Sequence, residues 1–251
     1  MHLSSLKIFM RQFILFFALF SISSFIANAG EYRLQPRAVA ELFTSQGCSS
    51  CPLADRVLDD IANSNNDIIT LAYHVDYWDY IGWRDTFGNA QNTKLQNNYS
   101  KALGITPQYT PQLIINGQKE IIGSHEAKVS KALLQAKLSI PVSLKVDQHY
   151  IRIKTPGDVT HDEAIIWLIT FQSKSEVKIL RGENRGKILT YSNIVSKRQA
   201  IGMLESKNGT EIKLPTADIL TENNDGFVII VQTDINGLPG KILGSASYII
   251  Q

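Results

Sequence analysis

The sequence predicts a mixed α/β domain followed by a β-rich, antiparallel sandwich-like domain, and three observations predict it. Residues 38–75 read strand, helix, strand, with Cys48-Ser49-Ser50-Cys51 at the first junction. Residues 110–138 read as a short hairpin and then a helix. From about residue 140 the texture changes to short β-prone runs separated by turn residues. The 251 residues are 44% hydrophobic and 19% charged, which excludes wholesale disorder, a collagen-like repeat and a disulfide-dense mini-protein.

Residues 1–29 read as a secretory leader. Lys7 and Arg11 form a basic start, Phe13 to Ile26 an apolar stretch, and Ala27-Asn28-Ala29 a cleavage site before Gly30. As a membrane anchor the apolar stretch would span only about 21 Å of a hydrocarbon core of about 30 Å. A periplasmic or secreted product with no integral span is therefore expected, in a compartment where a cysteine pair persists as a disulfide. With Lys7 and Arg11 set aside, the basic count falls from 25 to 23 and equals the acidic count of 23. Such a balance gives no pull toward nucleic acid.

Residues 30–140 are expected to form the α/β domain. Ala38 to Phe43 is a buried strand, and Thr44 to Gly47 a polar turn. Leu53, Val57, Leu58 and Ile61 then recur at helical spacing, with Asp55, Arg56, Asp59 and Asp60 between them. Asn63 to Asn66 breaks this helix, and Ile68 to Val75 is a second central strand. An insertion over 76–106 opens with Tyr77, Trp78, Tyr80 and Trp83 and continues as a polar helix from Asn89 to Ala102. Thr110-Pro111 leads into a strand, and Asn116-Gly117 between two short apolar runs signals a hairpin. Ser124 is the expected cap of a last helix. Residues 141–251 are expected to form the β-rich domain, with runs at 142–146, 150–154, 164–172, 176–180, 211–214, 226–232 and 241–249.

The chemistry centres on the cysteines. At i and i+3 on a helical first turn they lie close enough to form a disulfide. The unpaired amides and positive end of the helix stabilise a thiolate. Cys48, at the helix edge, is expected to be the exposed nucleophile, and Cys51 the resolving thiol. As an inert staple the pair would be inefficient, because a loop this short restricts an unfolded chain by only about 2 kcal/mol.

The strand, the Cys48-Ser49-Ser50-Cys51 helix start, Thr110-Pro111 before a strand and the Asn116-Gly117 hairpin together resemble the thioredoxin fold. More narrowly, Glu41-Leu42-Phe43-Thr44-Ser45-Gln46-Gly47-Cys48-Ser49-Ser50-Cys51-Pro52, His74-Val75-Asp76-Tyr77-Trp78-Asp79 and Arg181-Gly182-Glu183-Asn184-Arg185-Gly186 resemble the secreted bacterial family DUF1223. The thioredoxin resemblance implies a cis peptide at Thr110-Pro111, with Pro107 as competitor, whose bend lets the Thr110 backbone pair with an incoming peptide. It also implies a buried acid under the cysteines, for which Glu41 is the candidate, one residue off the usual spacing; a Glu at the strand's edge is the alternative.

Three functions are consistent with these residues. The first is a thiol–disulfide oxidoreductase using Cys48 and Cys51 on protein or small thiols and disulfides, with no cofactor. The second is a Cu(I)-binding protein using Cys48, Cys51 and His74, two thiolates and an imidazole suited to that ion. The third is a binding module in which the fold is only a scaffold. The aromatic cluster either lines a substrate groove or packs the insertion. The Arg181-to-Lys187 loop reads as a solvated turn, with an anion or inter-domain contact as the alternative.

Overall fold

The computed structural model describes residues 35–161 and 163–250; the expected leader lies outside the described residues. At its centre two fully buried strands, β1 (Ala38–Thr44) and β2 (Ile68–His74), run parallel in continuous register from Ala38↔Ile68 to Thr44↔His74. Strand side chains alternate, so the two faces collect different residues. Ala38, Ala40, Leu42, Ile68 and Ala72 pack against Val57, Leu58 and Ile61 of α1 (Cys51–Ser64) and against Val129 and Leu133 of α3 (Glu126–Gln135). Val39, Phe43, Leu71 and Tyr73 face the other way, toward Tyr99 of α2 (Ala90–Leu103).

The insertion is a 3₁₀ turn, Asp79–Ile81, and then α2. Asn89 caps α2 by accepting from the Asn92 amide, and Gly104 ends it in the left-handed region. β3 (Gln112–Ile115) adds antiparallel to β1, and β4 (Lys119–Ile122) pairs with β3. Asn116 and Gly117 both have positive φ, as the tight hairpin requires. The expected Ser124 cap is not used: the cap position falls one residue later, at His125, with no side-chain hydrogen bond.

The β-rich half has the antiparallel strands that were expected, but its larger sheet is not separate. β7 (Ala164–Lys178), β8 (Ile188–Met203), β10 (Gly226–Ile235) and β11 (Leu238–Ile249) extend the first sheet in the order β11-β10-β7-β8-β2-β1-β3-β4. The joint is narrow, a parallel contact of β2 with β8 at Ala72↔Ile194. β5 (Ser143–Val146), β6 (Tyr150–Thr155) and β9 (Thr210–Pro215) form a second, three-stranded sheet. Ile151 and Ile153 of that sheet share a core with Ile166, Leu168, Phe227, Ile229 and Leu243 of the large one, which is the sandwich-like part. A short helix, α4 (Thr216–Ile219), follows β9.

The large sheet curls strongly. Val228, Ile230 and Ile242 join the same core as Val39, Phe43 and Tyr73. Strands at opposite ends of the order even meet, the Ile242 amide donating to the Asn116 carbonyl at 2.9 Å. Among the described residues no helix is long and apolar enough to cross a membrane.

Candidate functional site

The carboxyl ends of β1 and β2 carry the chemistry. β1 passes through Ser45 to Gly47 into Cys48, and α1 begins at Cys51 with Pro52 in its first turn, where a missing amide hydrogen costs nothing. Cys48 and Cys51 form a disulfide, with Cα atoms 5.4 Å apart. Both cysteines are buried, at 1% and 0% exposure, whereas Ser49 and Ser50 between them are exposed. The expectation of a solvent-facing Cys48 is corrected here: the helix tip reaches water through the serines, and the first sulfur is covered.

A segment from far along the chain lies against the cysteine turn. The loop joining β7 to β8 seats on the cysteine turn, so the contact alternative replaces the solvated-turn reading. Buried Asn184 donates through Nδ2 to the carbonyls of Gln46 at 3.0 Å and Cys48 at 2.9 Å. The Ser49 amide donates to Glu183 Oε2 at 3.3 Å.

Glu41 does not lie under the cysteines. β1 pairs with β2 without a bulge, so its alternation is unbroken and the one-residue offset stands. With a side-chain period of two, that offset turns Glu41 to the face opposite α1. There it is fully buried, accepting from Tyr99 Oη at 2.5 Å and from Arg198 Nη1 at 3.1 Å. Arg198 also donates to Tyr73 Oη and Gln232 Oε1 and lies over the Trp167 ring.

The acid on the α1 face is Asp55, four residues after Cys51 and therefore on the same side of the helix. Its carboxyl accepts from Thr44 Oγ1 at 2.8 Å. Burial pushes its pKa up to about 7, against the opposing pull of His74 and the Thr44 hydrogen bond. The i, i+4 spacing from Cys51 was the available signal for this residue; in the stripe it reads as a polar interruption.

His74 ends β2 on this same face. Its Nδ1 lies 2.8 Å from Asp85 Oδ2, both side chains being buried. Asp85 also accepts from the amides of Gln46, Phe87 and Gly88. Burial alone would raise the Asp85 carboxyl, but His74 and these amides outweigh it and hold it below the usual range. Tyr191 of β8 sets its ring 4.7 Å from that of His74. Burial, then the charges of Asp55 and Asp85, push its phenol above the ordinary range. Among the described residues, His74 Nε2 and the Tyr191 hydroxyl are buried without a hydrogen-bond partner. Among the described residues no three His, Cys, Asp or Glu side chains converge as a metal set, and the copper trio of Cys48, Cys51 and His74 is not brought together as one.

Thr110-Pro111 is cis, and so is Thr106-Pro107. Pro111 approaches α1 at Gly123, where an added Cβ would lie 3.6 Å from Pro111 Cβ and 3.0 Å from Ala54 Cβ. Trp78 links the proline bend to the cysteine turn. Its Nε1 donates to Thr110 Oγ1 at 2.8 Å, and its Cβ would sit 3.0 Å from any Cβ at Gly47. Trp83 Nε1 donates to Gln46 Oε1, so two of the insertion's indoles brace the turn. Tyr80, stacked on Trp78, is 81% exposed.

The family described as "Protein of unknown function (DUF1223)" matches residues 39–232. A thioredoxin of Methanocaldococcus jannaschii is 30% identical over 96 residues, 38% of this chain and 87% of its own length. The crystal structure of protein AGR_C_4864 from Agrobacterium tumefaciens superposes with a TM-score of 0.77 at 30% identity, covering 87% of this chain and 96% of its own. HBP35 of Porphyromonas gingivalis shares the fold at a TM-score of 0.59 and 12% identity, over 88% of this chain and 77% of its own.

Proposed function

Since this chain belongs to the DUF1223 family and carries a helix-tip cysteine pair in a thioredoxin-like sheet, we propose that it is an exported thiol–disulfide oxidoreductase acting on protein thiols or disulfides. The observation that carries this reading is Asp55, a buried acid one helical turn behind Cys51 whose pKa lies near 7. Buried carboxyls with pKa values raised toward neutrality concentrate at sites of proton transfer.

In the reducing direction the Cys48 thiolate, stabilised by the amides of the α1 tip, attacks one sulfur of a substrate disulfide. The substrate S–S bond breaks, its second sulfur leaves with the electron pair, and a mixed disulfide forms. Asp55 takes the proton of Cys51, whose thiolate attacks Cys48 Sγ and expels the first substrate sulfur. The substrate gains two electrons and two protons, one passed on from Cys51 by Asp55 and one taken from solvent, and the Cys48–Cys51 disulfide is regenerated. The same steps reversed oxidise a dithiol.

The test is disulfide exchange by mature protein, residues 30–251, with a scrambled or reduced protein substrate and glutathione. Cys48→Ser is expected to abolish exchange, whereas Cys51→Ser abolishes turnover but accumulates a mixed disulfide through Cys48. Exchange no faster than glutathione alone, or turnover that survives Cys48→Ser, overturns the proposal.

A further inference from the structure

The β7–β8 loop does more than shorten a connection. Asn184, buried, bridges the Gln46 and Cys48 carbonyls, and its own Oδ1 accepts from Lys187 Nζ at 2.9 Å. Glu183 occupies the Ser49 amide, in the turn that leads into α1 and directly beside Cys48. Gly182, at φ 74, lets the loop turn against Trp83, whose Cβ would lie 3.3 Å from an added Cβ. With the loop seated in this way, Cys48 is 1% exposed.

We propose that residues 181–187 form a redox-linked latch, seated on the oxidised pair through Glu183 and Asn184 and lifted when the pair is reduced. Its biological use rests on the oxidoreductase reading; the latch itself requires only that the disulfide can be opened. In the disulfide neither sulfur is charged, so the Ser49 amide and the positive end of α1 hold the Glu183 carboxylate. Reduction breaks the S–S bond and leaves two electrons on the sulfurs. Two small thiols that supply them depart joined as a disulfide, and their protons pass to the cysteines or to solvent. A Cys48 thiolate then takes the helix-tip amides for itself and repels the carboxylate beside it. Coupling of this kind is reciprocal: if reduction expels Glu183, Glu183 favours the disulfide over the dithiol. Glu183 is thus a positioning residue that sets both access and redox poise.

The experiment compares trypsin cleavage of the oxidised mature protein with that of protein reduced by a phosphine, resolving each cut by mass. Cuts after Arg181, Arg185 and Lys187 report the latch, and the cut after Lys207, in a distant exposed turn, serves as the internal reference. Reduction is expected to speed the loop cuts about tenfold while leaving Lys207 within about twofold. Glu183→Gln is expected to shrink the loop difference below about threefold. It should also move the equilibrium with glutathione three- to tenfold toward the dithiol, tenfold being about 30 mV for two electrons. Equal loop cleavage in both redox states overturns the latch, as does a difference that Glu183→Gln leaves undiminished. A working latch on a pair that exchanges with neither glutathione nor a protein disulfide overturns the oxidoreductase reading and leaves the latch standing.

Discussion

An acid four residues after Cys51 shares that cysteine's side of α1, and at Asp55 it is shut away from water. Its raised pKa makes a stability statement whose sign can be worked out. Below about pH 4 the carboxyl is protonated whether the chain is folded or not. Between about pH 4 and 7 the unfolded chain releases that proton and the folded one keeps it, so stability falls as pH rises. At about 1.4 kcal/mol per pH unit the loss reaches a few kcal/mol and is complete above pH 7. Asp55→Asn is therefore expected to be more stable than the parent at pH 8 and no more stable at pH 4, read from urea midpoints. The same substitution should slow disulfide exchange at least tenfold and flatten its pH profile near 7. Glu41 illustrates the opposite side of residue-scale reading. Its acidity and strand were visible in the sequence, but its face depended on an unbroken register that only the paired β2 reveals.

Among the elements, β7 and β8 departed furthest from expectation. Residues 164–172 and 176–180 read as two runs because Gln172 to Glu176 is polar, yet a single strand spans 164–178. β8 gives almost no apolar alternation, and no strand was expected over 188–203. It forms because β7 pairs with it from Ile165↔Met203 to Lys178↔Ile188, backbone hydrogen bonds that carry no side-chain signature. That long ribbon is what delivers Glu183 and Asn184 to the cysteines. The β3–β4 hairpin, by contrast, was legible from Asn116-Gly117 alone, since its turn chemistry is local. It carries its own prediction: Gly117→Ala meets both a positive φ of 69° and the Gly240 carbonyl oxygen 2.2 Å from the new Cβ. The backbone conformation alone costs about 1–2 kcal/mol. A larger total loss, seen as a lowered urea midpoint with redox exchange retained, is expected.

At the scale of the molecule, the curled sheet makes the two halves share one core. Glu41, fully buried, and Arg198, with a side chain 10% exposed, are 157 positions apart, form an ion pair, and are tied through Tyr99 and Gln232 to the far strands. Removing one charge leaves the other uncompensated, so Arg198→Met should cost about 3–5 kcal/mol, and adding Glu41→Gln should restore most of it. Thermal unfolding is expected as one calorimetric transition, its van't Hoff and calorimetric enthalpies agreeing; two resolved transitions would show the halves to be independent.

By itself the sequence determined what depends on neighbours within about ten residues: the cysteine spacing at a helix start, the α1 stripe and the Asn116-Gly117 turn. Even the placement of Asp55 beside Cys51 was contained in it. The face of Glu41, the joining of the β-rich strands to the first sheet and the covering of Cys48 were decided only by the tertiary structure. These depend on contacts such as Asn184 to Cys48, 136 positions apart, which exist only once the sheet has curled and the ribbon has paired. Local dihedral preference and hydrophobic periodicity act along the chain; register and curl are settled by which distant strands find each other.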